Sequence, residues 1–366
     1  MARVFQRALG AAILPFTSGI WYREPLLRVP RAGAAPQLVS KGRTECAPRA
    51  LAHMKLLSQT GSEPSLNMDK LSPDLKLLAR QELGETPQVR RDAVVQLRTL
   101  IKTEEPSLQC PLDEEFLVKF LRGRKYRVMD TLEVIRKYFH VRLEHTEIFD
   151  DLLPSRIKFD TIYRRNRLVN IFKEPESLGR PIVVARLGVW NPSLCSMTEL
   201  FRAIVLLAEY SLLDPKTQIT GIVAVVDLEG LNFTHLLHYT VSEMKTAVKL
   251  VQECYPVRIR GIYIINNPPV FELFQPALKL FMKPKLFETI HFIGRDYDKL
   301  HQLVPRERLP EEYGGTMAKF DYDEFEKTLS SAENFFLELG KYGYRKDKSS
   351  KHSAGSERSV CLNTVK

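Results

Sequence analysis

Residues Ile222 to Val226 read IVAVV, an unbroken apolar run followed by Asp227-Leu228-Glu229-Gly230. A strand with one solvated face alternates polar and apolar residues, whereas an uninterrupted run of this kind belongs to a parallel strand covered on both faces. Parallel strands cannot be joined by hairpins, so helical crossovers must lie between them. The flanking sequence has the required alternation. Leu168 to Phe172 and Ile182 to Leu187 are strand candidates around the turn Leu178-Gly179-Arg180-Pro181, and Gly261 to Ile265 and Ile290 to Ile293 follow later. Ser196 with Glu199, and Thr240 with Glu243, have the spacing of capping boxes. The first precedes an apolar face of Leu200, Phe201, Ile204 and Ala208, the second one of Met244, Ala247, Val248 and Val251. The expected fold class is α/β, with a largely parallel sheet and flanking helices over residues 155–318.

Upstream, residues 70–148 have helical periodicity. Ser72-Pro73 places an N-cap before a proline in the first turn. Apolar residues recur at helical spacing around Ala79, Leu97, Phe120 and Ile135, and short links make this stretch a small helical bundle. Residues 319–344, with Phe325, Leu329, Phe336 and Leu339, read as a C-terminal helix. Residues 1–68 read as a disordered basic extension and residues 345–366 as a disordered basic tail.

Charge narrows the function classes. The net charge of +10 is carried by the ends: residues 1–60 hold nine Arg/Lys against two acids, and residues 345–366 hold six against two. The middle is close to neutral, whereas a nucleic-acid-binding domain carries its basic face on the folded part. No nucleic-acid partner is expected, and the basic ends suit loose attraction to anionic membranes. No run reaches the roughly 18 apolar residues of a spanning helix. Residues 1–30 are Arg-bearing and acid-poor, the composition of a mitochondrial transit peptide. An extension that addresses nothing is the preferred reading. Cys46, Cys110, Cys195, Cys254 and Cys361 are scattered and lack CxxC spacing, which argues against a zinc site or disulfide framework.

Catalytic motifs are missing. The chain has no Walker A loop, no GxGxxG, no GxSxG elbow and no HExxH. Asp227 and Glu229, with His235 nearby, sit where ligand chemistry occurs in open sheets. Acids at such a turn more often satisfy backbone N–H groups, and no nucleophile accompanies these. His291, inside an apolar strand, reads as a core histidine. No catalytic residue, metal site or cofactor is expected, and the protein is read as a non-enzyme.

The segment after the third parallel strand is richer. Arg258 and Arg260 open that strand, and Asn266-Asn267-Pro268-Pro269 ends it. Val270, Phe274, Ala277, Leu278 and Phe281 then share one side of a helical pattern, with Glu272, Gln275, Lys279 and Lys283 on the other. This third amphipathic element gives the sheet more apolar covering than it needs, which points to a space filled by something greasy. Pro276 inside it would split the pattern into two short helical pieces, as suits a movable lid.

The order of five motifs resembles the CRAL-TRIO lipid-carrier family, and within it the tocopherol-transferring members. They are Phe120-Leu121-Arg122-Gly123-Arg124, then Val226-Asp227-Leu228-Glu229-Gly230 with Phe233-Thr234-His235, Tyr255-Pro256-Val257-Arg258-Ile259-Arg260-Gly261, Asn266-Asn267-Pro268, and Glu312-Tyr313-Gly314-Gly315. The resemblance implies a carrier that moves a tocopherol-like, retinoid or other lipid between membranes. It places pocket positions on Phe201, Ile204, Ala208 and Val226, and on Ala247, Leu250, Val251 and Ile262. It places the lid on Val270, Phe274, Leu278 and Phe281, and a phosphoinositide-binding cleft on Arg124, Arg258, Arg260 and Lys285. Tocopherol-carrying members have serines at Ile204 and Ala208, a tryptophan at Leu231 and a further basic residue at Thr289. The expected partners are a hydrophobic small molecule and phosphoinositide membranes. The expected state is a monomer, cytoplasmic and peripheral on endosomal or other internal membranes. The alternative is a phosphoinositide-binding adaptor in membrane trafficking that recruits partners through its basic tail.

Overall fold

Local capping sets the first helices. A computed structural model describes residues 71–344 except 174–178 and 274, with backbone alone for Leu236, Leu237, Leu273, Ala277 and Leu278. The extension 1–68 with its transit-peptide reading, the tail 345–366 and the lid residue Phe274 lie outside the described residues, as does the Leu278 side chain. Helices α1 (Pro73–Leu83) and α2 (Pro87–Glu104) are followed by a short strand β1 (Leu108–Gln109), then α3 (Glu114–Gly123), α4 (Val128–Glu144) and the single turn α5 (Thr146–Phe149). The side chains of Ser72, Thr86 and Asp113 accept from the N–H groups of Leu75, Val89 and Phe116, so each of the first three helices starts on a satisfied cap.

The sheet contains β2 (Val169–Phe172), β3 (Ile182–Arg186), β4 (Ile222–Asp227), β5 (Ile259–Ile265) and β6 (Ile290–Gly294), in that spatial order. The pair β2–β3 is antiparallel and every other pair is parallel, as the apolar run of β4 requires. Helices α6 (Met197–Ser211) and α7 (Pro215–Thr220) connect β3 to β4, and α8 (Phe233–His238) and α9 (Val241–Lys249) connect β4 to β5. Both expected capping boxes are formed, at the start of α6 and of α9.

Between β5 and β6 the chain makes a 3-10 turn (Pro269–Leu273), then α10 (Gln275–Phe281) and α11 (Pro284–Phe287). Pro276 is therefore not interior to a helix. It occupies the second position of α10, where a missing N–H leaves no bond unmade. Helices α12 (Tyr297–Leu303), α13 (Tyr322–Ser330) and α14 (Glu333–Leu339) follow, and the chain reaches β7 (Gly343–Tyr344). The single C-terminal helix expected from periodicity is thus two helices and a strand. β7 pairs antiparallel with β1, and the Tyr344 hydroxyl donates to Glu105 at 2.9 Å, so the C-terminal segment is fastened to the helical bundle.

One face of the sheet is closed apart from Val223, which is half-buried at the start of β4. Ile182, Val184, Val225 and Ile265 are at most 3 % exposed and pack with Leu300, Val304, Leu309 and Tyr313. His291 departs from its expected role: it is exposed on the edge strand β6 and lies beside the Tyr263 ring.

Buried charge joins the bundle to the sheet helices. Arg122, 1 % exposed, donates Nε and Nη2 to the two oxygens of Glu85 at 2.8 Å each and Nη1 to Gln218 of α7 at 2.7 Å. The Arg122 guanidinium is thus held by buried partners and faces no solvent. Glu209 of α6 accepts from Tyr138 at 2.5 Å, from Arg142 at 2.7 Å and from Lys119 at 3.5 Å. Burial alone would raise the Glu209 carboxyl, but the charges of Lys119 and Arg142 outweigh it and hold it below the usual carboxylate range.

Removing Arg122 leaves the buried Glu85 with only the longer Arg90 ion pair at 3.7 Å. Arg122→Ala is expected to cost about 3–5 kcal/mol of unfolding free energy, read from the urea midpoint. Arg122→Met combined with Glu85→Leu should recover most of that loss, because no unpaired charge remains.

Candidate functional site

The second face of the sheet is built differently from the first. Along β4, Val225 is 0 % exposed, yet its neighbours Ala224 and Val226, which point the other way, are half-buried. The register sets Ala224 beside Ile262 and Ile290, and Val226 beside Ile264 and Phe292. Of these partners only Ile264 is fully buried. Central apolar side chains of a close-packed domain lose nearly all exposure, so this strip is incompletely covered.

Two apolar clusters flank the strip. Over β2 and β3, α6 contributes Val205 and Leu206 to a core with Val169 and Ile171, and Phe201, Ile204 and Ala208 stand half-buried at its margin. Over β5, Ile264 packs with Leu228, Leu231 and Phe271, and Val226, Ile262, Met244 and Val270 stand at that margin. Ala247 on α9 is half-buried as well. Six expected pocket positions (Phe201, Ile204, Ala208, Val226, Ala247 and Ile262) are therefore incompletely covered apolar side chains in the two margins or on α9. Leu250 is buried, and Val251 is 39 % exposed although 3.6-residue spacing puts it on the apolar face of α9. The cause is local: after Lys249 the helix widens into a π turn, Leu250–Cys254, so 3.6-residue spacing no longer predicts which way Val251 points.

The segment expected to form a lid is tied to that π turn through its C-terminal end. Gln252 donates Nε2 to the Phe281 carbonyl at 3.0 Å and accepts from the Lys283 N–H at 3.0 Å, and Glu253 pairs with Lys283 at 3.0 Å. Val270 and Phe281 are half-buried, while Leu280 is 69 % exposed.

The parallel order of β3 to β6 brings the chain entries of these strands to one rim. Arg180 stands before β3, Ile219 and Thr220 before β4, Arg258 and Arg260 at β5, and Lys285 on α11 before β6. Arg258 donates to the Ile219 carbonyl and, at 2.6 Å, to Glu82 of α1. Arg260 donates Nε to the Thr220 carbonyl at 3.1 Å and pairs with the same Glu82 oxygen. Arg180 donates to the Thr220 carbonyl as well, at 3.2 Å. Gly221 permits this closeness: its φ is +77°, and a Cβ there would collide with the Arg258 carbonyl. Burial, then the Arg180 charge, lower the proton affinity of Arg258, which stays a cation.

Arg124 follows α3, and Gly123 beside it packs so closely on Pro256 that a Cβ would come within 2.7 Å of that carbonyl. Lys285 is exposed. Thr289 donates its hydroxyl to the Leu286 carbonyl at 2.6 Å, so the position without charge serves as a local cap. Arg180 and Glu82 are absent from the sequence expectation. A basic residue just before a predicted parallel strand was the available signal for Arg180, and Glu82 had none.

At the opposite, carboxyl end of the strands lies a polar cleft of about 380 Å³ lined by Arg186, Asp227, Glu229, Asn266 and Tyr313. Asp227 accepts from Asn266 at 2.9 Å and Tyr313 at 3.0 Å, and Glu229 pairs with Arg295 at 3.0 Å. His235 meets the Trp190 carbonyl through Nε2 at 2.8 Å and the Asn232 N–H through Nδ1 at 3.1 Å. The three residues weighed for acid–base work are thus tied to separate structural partners. Among the described residues no cluster could hold a metal ion, and no helix is long and apolar enough to cross a membrane.

The CRAL/TRIO domain family matches residues 165–315. An alpha-tocopherol transfer protein-like protein of Homo sapiens is 32 % identical over 275 residues, 75 % of this chain and 80 % of that one. Clavesin-1 of Rattus norvegicus is 30 % identical over 263 residues, 71 % and 73 % of the two chains. A solved structure of Sfh5 covers 66 % of this chain and 91 % of its own at 14 % identity, with a TM-score of 0.39, too loose a superposition to carry an argument.

The tie is testable. Two ordinary hydrogen bonds contribute about 1–3 kcal/mol together, so Gln252→Ala should lower amide-exchange protection around Phe281 and Lys283 by about tenfold. Protection in β4 and β5 should be unchanged.

Proposed function

Because the chain belongs to the CRAL/TRIO family, we propose that it is a carrier that holds a hydrophobic small molecule against the open face of its sheet and moves it between membranes. The observation that carries this reading is the strip of half-buried apolar side chains between the two clusters, on a strand whose other face is closed. A ligand burying roughly 400 Å² of apolar surface there gains on the order of 10 kcal/mol before the costs of binding. A ligand held so firmly leaves slowly, and a carrier then needs a trigger for release. The segment from Val270 to Phe281 serves as the lid, held by Gln252 and opened at a membrane, where its apolar side exchanges ligand for acyl chains. Ile204 and Ala208 bring no hydroxyl to the pocket, so it suits a ligand, or an end of one, without a polar group.

Arg258 and Arg260, with Arg124 and Lys285, serve in this reading as the phosphoinositide dock. Guanidinium groups suit this because they meet phosphate oxygens with paired donors. The protein acts as a monomer. An adaptor would depend on the basic tail, whereas the carrier should survive deletion of residues 345–366.

Native mass spectrometry of the purified protein should find an apolar molecule at one per chain. Ala208→Phe, which fills the strip, should reduce that occupancy by at least about tenfold, a loss of about 1.4 kcal/mol. Full occupancy in the variant would place the ligand elsewhere. Arg258→Ala with Arg260→Ala should slow transfer to phosphoinositide vesicles and leave loading intact; equal transfer by variant and parent would remove the docking role.

A further inference from the structure

Three guanidinium groups share the amino-end rim of the sheet, and one carboxylate is set among them. Backbone carbonyls hold the arginines in place: Arg258 on Ile219, and both Arg180 and Arg260 on Thr220. A single oxygen of Glu82 then bridges Arg258 and Arg260. That is the seat a phosphate oxygen takes between two arginines. Glu82 arrives from α1, far off in sequence. Its side chain is 25 % exposed, whereas the Arg258 side chain beneath it is 9 % exposed. Helix α1 rests at this point on a small apolar contact, Ala79 and Leu83 against Ile219. The carboxylate is thus more accessible than Arg258 and about as accessible as Arg260, whose side chain is 28 % exposed, and each arginine is also held by a backbone carbonyl. One negative charge among three positive ones leaves the seat with an excess of cation.

We propose that Glu82 is the resident anion of this seat, and that a phosphoinositide headgroup is captured by exchange with it. The inference rests on the docking reading above and adds a selection rule to it. A phosphomonoester carries close to two negative charges and three acceptor oxygens, so it can bridge Arg258 and Arg260 and also engage the exposed Arg180. A carboxylate cannot match it. A lipid headgroup with one diffuse negative charge offers no more than Glu82 already does, and it gives no net gain on exchange. Arg180 also supplies, from the β3 lead, a cation that Thr289 does not supply from the β6 lead. The intramolecular anion therefore acts as a threshold that admits headgroups bearing phosphomonoesters and refuses singly charged ones.

The test is sedimentation of the full chain with phosphatidylcholine vesicles containing either phosphatidylinositol bisphosphate or phosphatidylserine, beside titration with soluble inositol trisphosphate. The parent should prefer the bisphosphate vesicles. Glu82→Gln should raise binding to phosphatidylserine vesicles by about three- to tenfold and thereby reduce the preference. It should also tighten trisphosphate binding, which places the exchange at the headgroup; a gain on vesicles alone would overturn the proposal. Arg180→Ala should weaken bisphosphate binding and leave phosphatidylserine binding unchanged. If Arg258→Ala with Arg260→Ala abolishes binding but Glu82→Gln leaves it unchanged or weaker, the dock stands and the exchange is wrong. If the double variant binds like the parent, the docking reading itself falls. Should Glu82→Gln not fold, amide exchange on the parent decides. Saturating inositol trisphosphate must speed exchange in residues 73–83, and unchanged or slower exchange there overturns the proposal.

Discussion

Parallel pairing of β3, β4, β5 and β6 is the constraint from which the remaining architecture follows. Strands that run the same way put all their starts on one rim and all their ends on the other. The starts collect Arg180, Arg258, Arg260 and Lys285; the ends collect Asp227, Asn266 and the residues tied to them. The same pairing also separates the two faces. Helix α12 and the segment through Tyr313 close one face, and the other is covered only at its flanks. The proposed lipid chamber and headgroup dock are then neighbours by construction, with β5 contributing to both.

The helical bundle depends on a second kind of interaction. Arg122 and Glu209 are buried charges whose partners lie across the boundary between the bundle and the sheet helices. Buried ion pairs contribute little net stability compared with well-packed apolar side chains, but a misplaced one is costly. They therefore fix how α3 and α4 sit against α6 and α7. That position matters at the rim, because α1 and Glu82 come with the bundle. The Arg258–Glu82 contact exists only when bundle and sheet are docked as they are.

Much of this was legible before any coordinates. The five strands, the two capping boxes and the Ser72 cap are local features, and each occurs where its residues indicated. Family resemblance added the pocket positions, and six of the eight are the half-buried apolar side chains at the two margins and on α9. Val251 leaves the apolar face that spacing assigned it because a π turn shifts the helical phase, a backbone detail that composition does not signal. His291 fails because an edge strand leaves one side uncovered, and edge position depends on strand order rather than on the strand's own residues. The β1–β7 clasp was missed because each strand is two residues long and neither has a pattern. Pro276 did divide its segment into two short helical pieces, Pro269–Leu273 and Gln275–Phe281, and it opens the second as a tolerated first-turn proline.

The sequence by itself determined the five strands of the sheet and the capped helices beside them, that the sheet is mostly parallel, and that β5 opens on two arginines. Those properties depend on residues within about four positions of one another, or on the apolar character of a run, and both are written along the chain. Only the tertiary structure decided that one face of β4 is closed and the other open, because exposure depends on what packs there. It alone decided that Arg258 and Arg260 meet Glu82, a pairing that spans 176 residues in the case of Arg258. Charges so far apart in sequence have no periodicity to connect them, and their meeting follows from how the bundle docks on the sheet.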